Sequence, residues 1–275
     1  MTLFSSLLHM PSHSSSLSTA SFGLIASSPL EQFEVTSLLA INAPILGYVN
    51  LSLTNLGLYT ILVVFLVLSL HFVASNNKQL VPNRWSIALE SSFASVYDLV
   101  KSQIGAANAI YLPFIYSLFF FILIANLNGN IPYGYTITTS LILSLGLSVM
   151  IFLGVTILGL QRHKIHFFSF FVPSGTPLAL VPLLVPIELI SYLARAFSLG
   201  IRLFANMTAG HTLMKILSGF LYPMFTSSIL IAVVTLIPFA IFLGIVGLEV
   251  AVSFIQAYVF CVLTASYIKD AIDLH

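Results

Sequence analysis

PIELISYLARAFSLGIRLFANMTAGHTLMKIL, residues 186–217, sets Glu188, Arg195, Arg202, Asn206 and His211 into a segment otherwise built to sit in lipid. An arginine at the bilayer centre costs about 2.5–3.5 kcal/mol on insertion scales, and on the order of 10 kcal/mol or more on an isolated helix. Groups that costly usually handle ions. The stretch therefore reads as a membrane helix with a working polar face.

The rest of the chain agrees with that class. Hydrophobic residues make up 59% of 275 positions and charged residues 6%, too few ionic groups to solvate a globular surface, so this is a polytopic membrane protein. A net charge of +1 argues against nucleic acid as a partner. The single Cys261 excludes an intrachain disulfide and any multi-cysteine metal site. There is no internal repeat, glycine-rich phosphate loop or His/Cys ligand cluster, so no catalytic residue, metal ligand or cofactor is assigned.

Hydropathy organises the chain into an all-α membrane protein of about five embedded helices plus one amphipathic surface helix. Residues 1–27 hold nine serines and no Asp, Glu, Lys or Arg, and read as a cleavable leader. Residues 28–275 form one membrane domain, beginning with a short acidic arm that leads into a first span at 53–74. Residues 84–105 alternate Arg84, Glu90, Asp98 and Lys101 with Trp85, Ile87, Phe93, Val96, Leu99 and Val100, the pattern of a helix lying on the membrane surface. Residues 110–160 form a helical hairpin, with spans at 110–126 and 137–160 and turn chemistry in NLNGNIPYGY between them.

Residues 178–218 and 227–268 are each continuous and apolar. At 1.5 Å per residue each would be roughly 60 Å long, about twice the hydrocarbon thickness. Two readings are open: spans broken at Pro186 or Pro238, or single helices bent by those prolines. The regular spacing of the polar residues favours the second, with 178–268 a long, steeply tilted antiparallel pair separated by a turn at 219–226.

Five membrane elements put all loop Lys and Arg on one side: Lys78, Arg84 and Lys101; Arg162 and Lys164; and Lys269. The arm, the 127–136 loop and the 219–226 turn fall on the other side and hold none.

Glu188, Arg195 and Arg202 recur every seven residues, which keeps them on one helical stripe, and Asn206 extends it by a turn. Glu249, Ser253 and Gln256 form a matching stripe on the last helix. Antiparallel register then gives three layers: His211 with Glu249, Arg202 with Gln256, and Glu188 with Asp270. The outer layers titrate, whereas Arg202 stays protonated and acts only as a fixed charge. Small residues Gly200, Ala205 and Ala209 point to close approach of another helix.

SLGIRLFANMTAGH (198–211), LEVAVSFIQAYVF (248–260) and SYIKDAIDLH (266–275) strongly resemble the subunit a family of F-type ATP synthases. The likeness runs from about Ser28 to His275, and SPLEQFEV (28–35) with the His211 and Glu249 combination resembles the mitochondrial, fungal form. It implies a non-catalytic stator subunit in the mitochondrial inner membrane, with the arm toward the intermembrane space and the C-terminus toward the matrix. It further implies two half-channels for protons against a ring of c subunits, alongside other Fo and peripheral-stalk subunits. In this likeness Arg202 matches the essential arginine and Gln256 its facing partner. Asn206, His211 and Glu249 match the intermembrane-space half-channel, and Glu188 and Asp270 the matrix half-channel. The serine-rich 1–27 is longer than the leader of similar proteins.

Plainer readings compete. Glu188 and Arg195 also read as a mutually neutralising pair, Gln256 as interhelical glue, and Asp270 as interfacial polarity. A secondary transporter with broken helices at Pro186 and Pro238, or a membrane anchor, are the rival classes. The first wants inverted repeats, which are absent from the sequence, and the second leaves the arginine block without a reason.

Overall fold

A computed structural model describes residues 30–42, 50–75, 82–131, 134–171 and 180–273. The 1–27 leader, Lys78 and part of the arm lie outside the described residues. The described residues form seven α-helices preceded by one antiparallel strand pair, and five of these helices are long and apolar enough to cross a membrane. Their outward faces are apolar, with Phe72, Ile142 and Ile229 each more than four-fifths exposed. Lipid rather than water suits such a surface.

The arm holds antiparallel strands β1 (Ser37–Asn42) and β2 (Asn50–Thr54), a pairing that acidity and prolines did not suggest. Thr54 then caps α1 (Asn55–Ala74), its hydroxyl accepting from the Gly57 amide at 3.3 Å. Asn55 ties the arm down by donating to the Glu34 carbonyl at 3.0 Å. Asn83 caps α2 (Arg84–Gln103), whose Val96, Leu99 and Val100 are buried against the bundle. Gly105, at φ 93°, lets the chain turn into a 3-10 segment, Ala106–Tyr111, ahead of α3 (Leu112–Gly129).

Helix α3 runs past the expected end of its span and takes NLNG with it. The α3–α4 connection shifts along the chain to lie between Gly129 and Leu141 and folds inward, with residues Tyr135, Thr136, Ile137, Thr138 and Thr139 all buried. Tyr135 donates to the Phe33 carbonyl at 3.5 Å, so arm and connection share one end of the bundle. Burial pushes the Tyr135 hydroxyl above its usual pKa range, which keeps it a donor. Helix α4 (Leu141–His163) leads back to the opposite end, where His163 bonds the Ile272 carbonyl at 2.9 Å.

Helix α5 (Val181–Ser227) is unbroken over 47 residues, with Pro186 and Pro223 inside it. The expected 219–226 turn is therefore helical; the chain breaks at Ser228, whose φ −159° and ψ 151° are extended. A proline forfeits one backbone bond, and the apolar residues around Pro223 have no polar segment with which to end the helix. Beyond it the expected single helix divides into α6 (Ile229–Val234) and α7 (Leu236–Ile272), joined at buried Thr235. Pro238 causes the division: its ring clashes with the carbonyl four residues back, so it sits in the first turn of α7 rather than mid-helix. At about 1.5 Å per residue α5 is on the order of 70 Å long, so it cannot stand upright in a hydrocarbon layer of about 30 Å.

The main core joins α2, α3, α4, α5 and α7, with Ile115, Ile122, Leu203 and Phe260 fully buried. Helices α4 and α5 meet at Gly200, where an added Cβ would lie 2.9 Å from the Ser144 carbonyl and 3.0 Å from the Ser148 Cβ. Ser148 in turn donates to the Ala196 carbonyl. The expected role of Gly200 in close helix approach is thus met inside the chain, whereas Ala205 and Ala209 are exposed.

Gly200→Ala is expected to cost the assembled protein about 1–3 kcal/mol, because backbone rather than a flexible side chain must move. Gly219→Ala, with open space around it, is expected to leave stability within error. Thermal unfolding of the purified membrane complex in detergent compares the two.

Candidate functional site

Helices α5 and α7 run antiparallel with their polar stripes facing each other, and the stripes meet at three levels. Nearest the α3–α4 connection, His211 Nδ1 lies 3.4 Å from Glu249 Oε1, with side-chain exposures of 10% and 5%. Helical spacing alone brings Glu249 onto the stripe; Gly210 brings it close. A Cβ at Gly210 would sit 2.9 Å from Glu249 Oε1, so no larger residue leaves the carboxylate where it is. The other ring nitrogen of His211, Nε2, is 3.0 Å from Thr136 Oγ1. Asn130 donates to Ser253 Oγ at 3.0 Å, and Ser253 donates to the Glu249 carbonyl at 2.9 Å. Among the described residues neither Glu249 oxygen has a hydrogen-bond donor.

At the middle level Asn206 Nδ2 donates to Gln256 Oε1 at 2.9 Å. Gln256 is buried, and its amide nitrogen has no acceptor among the described residues. Arg202 stands one turn from Asn206, half-buried, and forms no ion pair among the described residues. At the far level Arg195 bridges two carboxylates, 3.6 Å from Glu188 Oε1 and 3.3 Å from Asp270 Oδ2. These three side chains are about one-third exposed, at 38%, 29% and 36%, so solvent screens the attraction. A cavity of about 20 Å³ beside them, lined by Tyr192, Arg195, Tyr267 and Asp270, has room for one water molecule.

The observed pairing departs from simple antiparallel register. His211 meets Glu249 as expected, but Gln256 pairs with Asn206 instead of Arg202, and Asp270 reaches Arg195 instead of Glu188 directly. Equal-level reasoning tracks Cα positions, whereas helical side chains lean toward their own N-termini, in opposite directions on antiparallel helices. The lean displaces partners most for the longest side chain, which is Arg195.

Several polar groups at this site come from elements that the stripes do not include. Thr136 and Asn130 belong to the α3–α4 connection, and Asn126 and Asn128 to the end of α3. Asn126 is fully buried with both side-chain polar atoms unpaired among the described residues. Asn at 126, 128 and 130 in an apolar run is a visible signal, but turn chemistry explains it as well. Among the described residues no three His, Cys, Asp or Glu side chains converge as a metal site.

A family described as ATP synthase A chain matches residues 57–269. A protein named ATP synthase subunit a from Mycosarcoma maydis is 79% identical over 248 residues, spanning 90% of this chain and 98% of that protein. Its counterpart from Emericella nidulans is 53% identical over 249 residues, covering 90% and 97%. That from the alga Chondrus crispus is 42% identical over 251 residues, covering 91% and 98%.

Arg195→Gln removes the cation that bridges Glu188 and Asp270, and is expected to lower the melting temperature of the complex by a few degrees. Adding Asp270→Asn is expected to recover at least half of that loss, because the remaining carboxylate then faces no like charge. Melting of the single and double variants in detergent provides the check.

Proposed function

This chain belongs to the ATP synthase A chain family, and on that premise we propose that it is the proton-translocating stator subunit of a rotary ATP synthase membrane sector. The observation that carries the reading is the placement of Arg202. A permanent cation without an ion-pair partner among the described residues stands between two titratable layers, His211 with Glu249 and Arg195 with Glu188 and Asp270. An unpaired guanidinium in lipid wants an anion. The stripe carboxylates Glu188, Glu249 and Asp270 lie at other levels, and in this reading the anion comes from outside.

That anion is a carboxylate carried past the site by a ring of c subunits, an obligatory partner because this chain holds only half of the proton-transfer pair. Exposed Ala205 and Ala209 leave room on α5 for ring helices to approach. Protons enter at the end holding the α3–α4 connection, through Asn206, His211 and Glu249, and neutralise a ring carboxylate. The ring carries them round to the Glu188 and Asp270 level, where they leave. Glu249, 3.4 Å from His211 Nδ1 and with no hydrogen-bond donor on either oxygen among the described residues, suits a group that takes up and releases a proton. Gln256 holds Asn206 and closes the space between the stripes.

Arg202 does two things by being undischargeable. It attracts the deprotonated ring carboxylate, and it repels a proton that would pass directly between the layers. Net movement of charge then requires rotation, with each proton releasing about 2.3 kcal/mol per 100 mV. ATP forms in other subunits of the complex. The excess of loop Lys and Arg on one side orients the C-terminus to the matrix and the arm to the intermembrane space of the mitochondrial inner membrane. Peripheral-stalk and other Fo subunits hold the chain still against the ring.

In vesicles carrying the assembled complex, Arg202→Ala and Arg202→Lys are both expected to abolish ATP-driven proton pumping, and Arg202→Ala to leak protons passively. Glu249→Gln is expected to slow pumping by about 100-fold or more, the scale of a lost proton-transfer group. Unchanged coupling in the arginine variants would reduce Arg202 to a packing residue.

A further inference from the structure

We infer that Thr136 is a positioning residue for proton transfer: its hydroxyl holds the His211 ring in one orientation through both of its protonation states. The inference rests on the proposed role of His211 and Glu249 and adds a residue from outside the two long helices.

Thr136 lies on the α3–α4 connection, a loop that is buried where loops ordinarily are not. Its Oγ1 is 3.0 Å from His211 Nε2, while Nδ1 faces Glu249 Oε1 at 3.4 Å. The imidazole is thus hydrogen-bonded to the connection through Nε2, while Nδ1 stands at ion-pair distance from a carboxylate of α7. With the ring neutral and its proton on Nδ1, the threonine hydroxyl donates to Nε2. When the ring gains a second proton, Nε2–H donates and the same hydroxyl oxygen accepts. A hydroxyl performs both roles by rotation alone. No backbone group at that position could, since a carbonyl only accepts and an amide only donates.

Two glycines fix the geometry from either side. A Cβ at Gly129 would come within 2.8 Å of the Thr136 Cβ, so α3 seats the threonine against its own backbone. Gly210 does the same for Glu249, where an added Cβ would meet Oε1 at 2.9 Å. Thr139 completes the seat by donating its hydroxyl to the Thr136 carbonyl at 2.6 Å. The loop therefore presents one hydroxyl, rather than a flexible polar surface, to a ring that lies next to a buried carboxylate.

Two substitutions separate positioning from packing. Thr136→Val keeps the shape and loses the hydroxyl; Thr136→Ser keeps the hydroxyl and loses a methyl. ATP-driven proton pumping by the assembled complex in proteoliposomes is expected to fall about tenfold in Thr136→Val, the size of one intramolecular hydrogen bond, and to stay within about twofold in Thr136→Ser. The reverse order, with Val close to wild type and Ser impaired, would overturn the inference and make Thr136 a packing residue. So would equal loss in both variants, or in neither. Glu249→Gln and His211→Phe measured alongside keep the two claims apart. If those variants slow pumping and Thr136→Val does not, only the positioning role fails. If they pump normally, the proton-carrying reading of this layer fails with it.

Discussion

A guanidinium cannot give up its proton under any condition in which this protein works, so the lipid-embedded Arg202 must be stabilised by charge from elsewhere. In the proposed function that charge comes from a moving partner. The carboxylates that could neutralise Arg202 within the chain are held at other levels, Glu249 beside His211 and Glu188 and Asp270 around Arg195. On the proposed reading, a register that placed one of them on Arg202 would satisfy the cation and leave a ring carboxylate nothing to exchange with.

Holding three polar levels apart in lipid demands close and rigid packing, because hydrocarbon supplies no hydrophobic force between apolar helices. Glycine supplies the closeness. Gly200 lets α5 touch α4, Gly210 lets Glu249 approach α5, and Gly129 seats the buried connection against α3. Length supplies the rest: a 47-residue α5 and a 37-residue α7 give one continuous interface long enough to carry all three levels. Broken helices would have divided that interface and let the levels move independently. Among the described residues, side-chain polar atoms of Asn126, Gln256 and Glu249 are buried without a hydrogen-bond partner. Their desolvation is costly unless water or a passing proton answers them.

The apolar runs made the membrane class and the five spans legible in the sequence, and the seven-residue spacing of Glu188, Arg195 and Arg202 fixed the polar face of α5. Periodicity carries such information because it is local. The helix ends were less legible. Pro223 read as part of a turn yet lies within α5, while Pro238 quietly set the start of α7. Pairing between stripes was legible only at His211 and Glu249. Elsewhere side-chain reach, which no spacing encodes, moved Gln256 to Asn206 and Asp270 to Arg195. Thr136 and the β1–β2 pairing were hidden for another reason: both depend on where a connecting segment folds back, which local pattern does not determine.

The central claim is that the two titratable layers communicate with opposite sides of the membrane and not with each other. The most direct test places cysteines at Ser253 and Ala271, one beside Glu249 and one on the cavity wall next to Asp270, with Cys261 replaced by serine. Labelling of the assembled complex in sealed vesicles by a small water-soluble, membrane-impermeant thiol reagent is then measured from each side. Position 253 is predicted to react only from the side of the α3–α4 connection, and position 271 only from the other. Reaction of either position from both sides, or of both from the same side, would contradict the separation that Arg202 is held to enforce.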